Sequence, residues 1–259
     1  MTAQLAEIGS HLDTLLRVGE VPDYPNAING IQVSHRGPVR GIATAVDASA
    51  ATIQAAVVAR ANLLIVHHGL FWSGTQPLTG HRYERIQALL ANDIAVYSAH
   101  LPLDAHDIFG NSRLLAAELE LSVTAGFAHF QTIACGVRGD ADDLSTSQLV
   151  SRIDAFSRKH GGRAISSPFS EGRRTRRWAI CSGAGAGVAT LDEASSCGVD
   201  TLIVGEGPHW TAVDAPERGL TIVYAGHYAT ETLGVMALGE HLASTFELPH
   251  KFIAAPTGL

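Results

Sequence analysis

Short apolar runs and amphipathic stretches alternate along the first half of this chain. Leu5, Ile8 and Leu12 recur at helical spacing and predict an amphipathic helix within residues 3–18. Segments typical of a buried strand and segments typical of a helix then follow in turn, at 40–47, 50–60, 63–68, 81–92 and 94–99. Strand, helix and strand with short connections make βαβ units, so we expect parallel strands joined by right-handed crossovers.

A second set of predicted elements begins near Val123, where the pattern of the sequence changes. Just before it, Asn111 is placed to cap a helix over 112–121. The later strands are predicted at 129–138, 163–169, 177–182, 199–204, 220–225 and 251–254. The later helices are predicted at 146–160, 188–196, 209–218 and 230–246. Both halves of the chain therefore predict an α/β protein.

The segment Leu63–Gly69 places chemically active residues where α/β sheets bind ligands. Its apolar run predicts a buried strand that ends in His67 and His68. Ligands of open α/β sheets bind just outside the carboxyl ends of the strands. Because side chains alternate between faces along a regular strand, both imidazoles share one site only if the backbone turns there, as Gly69 allows.

Two other predicted strands end in the same way, the first in His100 and Asp104 and the second in His227 and Glu231. Five side chains form the candidate ligand set: His67, His68, Asp104, His227 and Glu231. A single catalytic zinc uses three protein ligands, so five favour two divalent ions about 3.5–4 Å apart. Imidazole and carboxylate donors without thiolate suit Zn, Fe, Mn, Co or Ni alike. The alternative is that these residues only cap helices and bind water.

Three more polar residues lie at the ends of predicted strands. His100 is the candidate catalytic group, because an imidazole can serve as general acid or base near neutral pH. The alternative for His100 is a buried histidine that holds its loop. Asp47 and Glu206 are placed either to orient the ligand histidines or to cap turns.

The composition restricts the class of protein further. The 259 residues, 46% of them hydrophobic and 17% charged, are typical of a compact chain with one large or two ordinary domains. A net charge of −7 disfavours nucleic-acid partners, and we expect the basic run Arg173–Arg177 on a solvated connection between strands. The odd, widely spaced Cys135, Cys181 and Cys197 are typical of reduced thiols. Neither a secretory signal nor an apolar run of ~20 residues is visible, so we expect a cytoplasmic protein without a membrane span.

A glycine-rich run, Gly183–Gly187, follows one predicted strand and opens a helix. This is the setting of a phosphate-binding loop, but the third glycine of the dinucleotide fingerprint is absent. We interpret the run as a tight turn between strand and helix, at which an anion can be bound. No nucleotide cofactor is expected.

Three segments, 64–72, 100–106 and 225–231, are similar to the signature motifs of the Nif-three-like dinuclear metal centre family. This family is also called the GTP cyclohydrolase 1 type 2 homologues, and YbgI is a bacterial example. Segments 29–33 and 204–206 resemble further motifs of the family, so the resemblance covers nearly the whole chain in order. Gly207–Trp210 departs from the family pattern, which leaves the closeness of His209 to the site open.

The resemblance implies a three-layer α/β/α fold with mixed, largely parallel sheets in two similar subdomains. It implies a discontinuous metal-binding lobe (1–125 plus 225–259) and a second lobe (126–224). It also implies two divalent ions per chain, held by the five candidate ligands with Glu231 as the bridge, and a homohexamer with its metal sites facing an internal cavity.

The function expected from these residues is a metal-dependent hydrolase of the GTP cyclohydrolase 1 type 2 kind, acting through a metal-bridging hydroxide on a small molecule. The alternative is a protein that binds or delivers metal, or presents a metallated ligand, without turnover of its own. A nucleic-acid-binding regulator is a third hypothesis, which the acidic net charge disfavours.

Overall fold

A computed structural model describes residues 2–259 of the chain, with Asp143 described by its backbone alone. The chain forms two compact units. The first unit runs to His106 and takes up Gly234–Ala255 as well, and the second unit consists of Asp107–Leu233 and Pro256–Leu259. Each unit contains one sheet with helices packed against it.

The first unit is built around a five-stranded sheet. Its elements are α1 (Leu5–Leu15), β1 (Gly30–Val33), β2 (Ile42–Asp47), α2 (Ala50–Val58), β3 (Leu63–His68), α3 (Gly80–Ala91), β4 (Ala95–Ser98), α4 (Leu101–Asp104), most of α10 (Thr232–Phe246) and β11 (His250–Phe252). The strand order is β1-β4-β3-β2-β11, with β1 antiparallel to β4 and the other neighbours parallel. The predicted βαβ units are confirmed, and the carboxyl ends of β2, β3 and β4 lie at one edge.

Helices cover both faces of this first sheet, because successive strand residues point in opposite directions. Leu64 and Val66 of β3 pack in one apolar cluster with residues of α2 and α3, and Val96 of β4 joins them. The neighbouring Tyr97 faces the other way, where its hydroxyl donates a hydrogen bond of 2.7 Å to Asp13 on α1. The sheet is therefore a middle layer between helices.

The second unit is built around a six-stranded mixed sheet. Its elements are α5 (Asn111–Glu118), β5 (Ala125–Phe130), β6 (Ile133–Ser145), α6 (Thr146–Lys159), β7 (Ile165–Ser166), β8 (Arg174–Cys181), α7 (Val188–Ser196), β9 (Thr201–Val204), α8 (His209–Glu217), β10 (Thr221–Tyr224) and α9 (His227–Thr230). The strand order is β5-β6-β8-β9-β10-β7, and β8, β9 and β10 run parallel. The α/β class with mixed sheets is confirmed.

Residues of β8 show how the second sheet is covered on both faces. Trp178 and Ile180 pack in a cluster with buried residues of α5, α6 and α9. Ala179 and Cys181, which alternate with them, pack in a separate cluster with residues of α7 and α8. Both Ala179 and Ile180 are fully buried, as expected for a central strand with helices on either side.

The compact units divide the chain at residues other than those predicted. The sequence placed lobe limits near 125 and 225, whereas α5 packs with β6 and β8 and so belongs to the second unit. His227 and Glu231 also lie in the second unit. The predicted lobes stay a prediction, because compactness does not test whether a lobe folds alone.

The prediction for the basic run Arg173–Arg177 is wrong. Most of the run lies in β8 and not on a connection between strands. Thr175 is fully buried between exposed arginines, and its hydroxyl bonds to Thr201 at 2.8 Å. The Asp200 carboxylate accepts the backbone N–H groups of Arg176 and Arg177. The run of charges hid the alternation of exposed and buried side chains at the beginning of this strand.

Four smaller expectations also differ from the structure. Asn111 is the first residue of α5, and Gly110 stands at the cap position. The strand predicted at 129–138 is a hairpin of β5 and β6. The loop after His100 contains the one-turn helix α4, and the helix predicted at 230–246 is preceded by the separate helix α9. Among the described residues, no helix is both long and apolar enough to cross a membrane.

Candidate metal centre

His67 stands at the end of β3 with its side chain fully buried. Its Nδ1 lies 2.9 Å from the backbone carbonyl of Ala99, and a carbonyl only accepts, so the ring proton is on Nδ1. Nε2 therefore carries the lone pair, and it lies 3.4 Å from Oδ2 of Asp104 on α4. The structure brings these two predicted ligands together.

His68 is oriented by the neighbouring strand β2. Asp47 is the register partner of His68 in the parallel pair, and its Oδ1 lies 2.9 Å from His68 Nδ1. A carboxylate at this position fixes the ring and leaves Nε2 as the nitrogen that can bind a metal. Of the two roles considered for Asp47, the structure favours orientation of the histidine.

His100 follows β4 and has a carboxylate partner of its own. Its Nδ1 lies 2.8 Å from Oδ1 of Asp23, whose other oxygen accepts from Asn29 and from the backbone N–H of Leu101. Burial works to raise the pKa of Asp23, but the hydrogen bonds from His100, Asn29 and the Tyr24 N–H hold it below its ordinary value. Asp23 is therefore a firmly ionised acceptor for the His100 ring.

The three imidazoles of the first unit form one group. The ring centroid of His100 lies 4.9 Å from that of His67 and 5.7 Å from that of His68. One ring nitrogen from each histidine can be chosen so that all three lie within 4.8 Å of one another, which is close enough for a group that could hold a metal ion. Trp72 packs edge-on against His100, with the ring centroids 4.7 Å apart.

Gly69 has a role different from the predicted one. Both histidines are within β3, and Gly69 does not have a positive φ. A Cβ at Gly69 would instead stand 2.3 Å from the amide nitrogen of Gln32. That amide accepts the Leu70 N–H through Oε1 at 2.7 Å, so Gly69 is needed for the close approach of Gln32.

The second unit carries His227 and Glu231 at the two ends of the one-turn helix α9. Nδ1 of His227 lies 2.8 Å from Oε1 of Glu206, the contact that the orienting role considered for Glu206 requires. Nε2 lies 3.2 Å from Oε2 of Glu231, and that side chain is only 4% exposed. Burial works to lower the pKa of His227, but the hydrogen bonds and charges of Glu231 and Glu206 raise it to about 9.

Gly183 makes room for the Glu231 carboxylate. Its φ is +62°, and a Cβ there would stand 2.1 Å from Oε1 of Glu231 and 3.4 Å from Nε2 of His227. Its backbone N–H donates to the hydroxyl of Thr230 at 3.0 Å, which fixes the loop against α9. The first glycine of the glycine-rich run is therefore part of this site, a role that the sequence analysis missed.

The predicted site residues fall into two groups in the structure. His67, His68, His100 and Asp104 lie together in the first unit, and His227 lies beside Glu231 in the second. That the two groups meet around metal ions stays a prediction. His209 is the exposed first residue of α8. Asp23 was missed, because only its position in a proline-rich break marked it in the sequence.

The residues present fit a divalent metal ion. Both groups offer imidazole nitrogen and carboxylate oxygen, which zinc and the neighbouring transition metals accept. In both groups, histidine Nδ1 atoms face oxygen acceptors, and the Nε2 atoms of His67 and His227 face the carboxylates of Asp104 and Glu231. The missing side chain of Gly183 leaves room for the buried Glu231 carboxylate to lie beside His227. Fold and site define an α/β protein with histidine and glutamate groups that could hold a metal ion.

The chain belongs to the Duf34/NIF3 (NGG1p interacting factor 3) family, whose model matches residues 3–257. Relatives named "GTP cyclohydrolase 1 type 2 homolog" include proteins of Deinococcus radiodurans, 38% identical over 98% of this chain and 94% of the relative, and of Pseudomonas aeruginosa, 35% identical over 99% of both. The resemblance deduced from the three motifs is thereby confirmed.

Solved structures give the same answer for the fold. A structure described as "protein ybgI, unknown function" has a TM-score of 0.88 and 35% identity, covering 99% of this chain and 100% of that one. TTHA1606 from Thermus thermophilus has a TM-score of 0.85 and 34% identity, with the same coverage. Reduced HcgD from Methanocaldococcus jannaschii has a TM-score of 0.85 at 23% identity, covering 98% of this chain and 99% of its own, and supports the fold alone.

Proposed function

We propose that this protein is a divalent-metal-dependent hydrolase that holds two metal ions per chain. The ligands are the five predicted from the sequence: His67, His68, Asp104, His227 and Glu231. The observation that carries the proposal is the shared orientation of three histidines, each with Nδ1 held by an oxygen acceptor. This arrangement is found around catalytic metals, where the acceptor fixes the tautomer and makes the ligating nitrogen more basic.

The residues of the proposed site have two tasks. His67, His68, Asp104 and His227 would supply donors to the two ions, and Glu231 would supply the carboxylate shared between them. Two bound cations would supply a water activated for nucleophilic attack at neutral pH, and positive charge that stabilises an oxyanion. The buried Glu231 side chain, 4% exposed, suits this task because an ionised carboxylate in such surroundings needs cationic partners.

We assign His100 the role of general acid or base. Asp23 holds its Nδ1 at 2.8 Å, so Nε2 is the atom that can take or give a proton. The ring stands among His67, His68 and Trp72, within reach of a substrate bound at the histidine group. Its side chain is 12% exposed, which leaves a narrow contact with solvent for proton exchange.

The reaction is proposed from the name that the relatives carry, "GTP cyclohydrolase 1 type 2 homolog". Addition of water at C8 would open the purine imidazole ring to a formamide, and hydrolysis of that formamide by a second water would release formate. This chemistry requires a nucleophilic water and a general acid, and the proposed residues supply the place for both.

The test combines metal analysis with an activity assay on the full chain. Protein prepared with and without chelator is analysed for metal per chain and assayed for formate release from GTP and for phosphoester hydrolysis. The expected result is two ions per chain, and turnover that disappears in His68→Ala and persists in the control His209→Ala, whose side chain is exposed. Full metal content without turnover on any substrate would overturn the hydrolase and leave a protein that binds or delivers metal.

Assembly and location complete the proposal. We propose a homohexamer in the cytoplasm, as the resemblance and the absence of an apolar span in the sequence led us to expect. Light scattering on the eluting protein is expected to give six times the 27.3 kDa of one chain. A monomer or dimer at micromolar concentration would contradict the hexamer and leave the metal chemistry untouched.

A further inference from the structure

A cavity of about 230 Å³ in the first unit lies between α3 and the segment that follows β3. Its apolar wall comes from Leu70, Phe71, Leu78 and Ile86. None of the proposed metal ligands lines it. Its volume is below that of a typical drug-sized pocket, so its ligand is a small molecule with one ring or a short chain.

The polar part of the cavity is cationic. Arg82 and Arg85 both line it, three residues apart and therefore on the same side of α3, and no carboxylate side chain lines it with them. In the described part of the chain, neither arginine forms an ion pair with an aspartate or a glutamate. The protein has a net charge of −7, so a cavity with two arginines and no carboxylate differs in charge from the protein as a whole.

Arg85 is anchored but not fully hydrogen-bonded. One terminal nitrogen donates to the carbonyl of Ala48 at 3.1 Å, which fixes the guanidinium in place. Its Nε is buried and has no hydrogen-bond partner. A buried N–H without an acceptor is costly, and the N–H groups of a guanidinium can donate side by side to the two oxygens of a carboxylate.

We propose that this cavity binds a small organic anion: a carboxylate on a short apolar body. Arg85 and Arg82 hold the carboxylate, and the apolar wall takes the ring or chain. Carboxylate binding in contact with apolar side chains is favoured because the charge interaction is stronger away from water. The bound anion stands apart from the metal ligands, although Leu70 follows His68 by two residues and Ala48 follows Asp47 directly.

The probe for this site is benzoate, compared with neutral benzamide and with inorganic phosphate. Binding is measured by ligand-observed NMR and calorimetry on metal-loaded protein and on chelator-treated protein. We expect benzoate to bind both preparations equally and at least tenfold more tightly than either comparison ligand. Benzamide lacks the charge and phosphate lacks the apolar body, so each isolates one part of the proposal.

Variants assign the binding to the cavity. Arg82→Met and Arg85→Met are each expected to weaken benzoate binding at least tenfold, while Arg36→Met, an exposed arginine of the same unit, leaves it unchanged. Thermal unfolding identifies any variant that fails to fold. If Arg85→Met does not fold, Arg82→Met alone tests the proposal. Benzoate that binds only the metal-loaded protein, that binds no better than benzamide or phosphate, or that ignores both arginine changes would overturn the proposal. None of these outcomes bears on the hydrolase assay.

Discussion

The two groups of candidate ligands are built by different means. In the first unit, His67 and His68 stand on one strand of a parallel sheet and are oriented by acceptors at the ends of the neighbouring strands. In the second unit, His227 and Glu231 stand on a single helical turn, in space left by a glycine. The backbone hydrogen bonds of the sheet hold His67 and His68 in place. The position of Glu231, by contrast, depends on the absence of a side chain at Gly183.

The two groups also differ in the number of imidazoles and carboxylates that they contain. Three imidazoles dominate the group in the first unit, with Asp104 facing His67. In the second unit, one imidazole lies between two carboxylates, which raise its pKa to about 9 despite burial. A proton therefore occupies the second group at neutral pH until a cation displaces it. The second group therefore depends on the space left at Gly183 and on the pH at which His227 loses its proton.

The largest effect is expected from Gly183→Ala, which tests the dependence of the second group on space. A Cβ would stand 2.1 Å from Glu231 Oε1 and would also hold a side chain at φ +62°. We expect metal affinity to fall by more than the roughly 100-fold that loss of an outer-shell partner costs, and turnover to vanish with it. Bound metal after gel filtration is the measurement.

Gly187→Ala is the matched control for that variant. Gly187 belongs to the same glycine run, has an extended φ of −162°, and has nothing within 4 Å of a Cβ. It should bind metal as the wild type does. Equal metal content in the two alanine variants would show that the Glu231 carboxylate does not need the space at Gly183.

The next largest effect is expected from His100→Asn, which separates proton transfer from metal binding in the first group. Loss of a general acid or base lowers turnover by roughly 10²–10⁴-fold, and metal content should not change. Formate release and metal per chain are measured on the same preparation, with His209→Asn as the exposed control. Loss of metal together with turnover would make His100 a ligand, as the grouping of the three imidazoles allows.

Asp47→Asn and Glu206→Gln compare the orienting carboxylates of the two groups directly. Each variant removes a charged acceptor from a histidine Nδ1 and should weaken metal binding about 10–100-fold. Glu206→Gln should also lower the pKa of His227, because one of its two carboxylate partners is lost. Competition with a metal-sensitive dye gives the affinities. Glu20→Gln, which touches only a surface ion pair with Arg17, is the control that should change nothing.

Taken per pH unit, the pH dependence of metal binding at the second group is the smallest of these effects. Because the folded-state pKa of His227 is raised to about 9, its proton stabilises the metal-free fold below pH 6.5, and this contribution is lost as the pH rises through 9. Metal must displace that proton, so its affinity should fall by up to about tenfold per pH unit below 9. Calorimetry in two buffers of different ionisation enthalpy counts the protons released, and His227→Gln should remove this release. A constant affinity from pH 6 to 9 would contradict the assignment.

The first group could be predicted from the sequence because its chemistry follows directly from strand ends. The apolar run before His67 and His68 marks β3, and the parallel arrangement then places Asp47 beside His68. Local signals of this kind, an apolar run and the residue that follows it, are readable from one sequence. The family resemblance strengthened them.

The rest depends on contacts between distant residues, which leave no local signal. Asp23 meets His100 across 77 positions, and Gly183 meets Glu231, the residue after Thr230, from which it is separated by almost fifty positions. The local signal was misleading at Arg173–Arg177, where the charged side chains obscured the alternation of exposed and buried positions that marks a strand. The same limit explains why the glycine run suggested an anion loop when its first glycine in fact accommodates a carboxylate.

Gln32 fastens the segment beyond His68 to the edge of the first sheet. Its amide nitrogen donates to the carbonyls of Ala27 and Ile28 at 3.0 and 2.9 Å, and its oxygen accepts the Leu70 N–H. The Leu70 amide hydrogen can therefore exchange with deuterated solvent only when its hydrogen bond to Gln32 breaks. The hydrogen-exchange rate of Leu70 therefore reports how often the end of the strand that carries the histidines opens locally. It can be measured in the intact protein without any substrate.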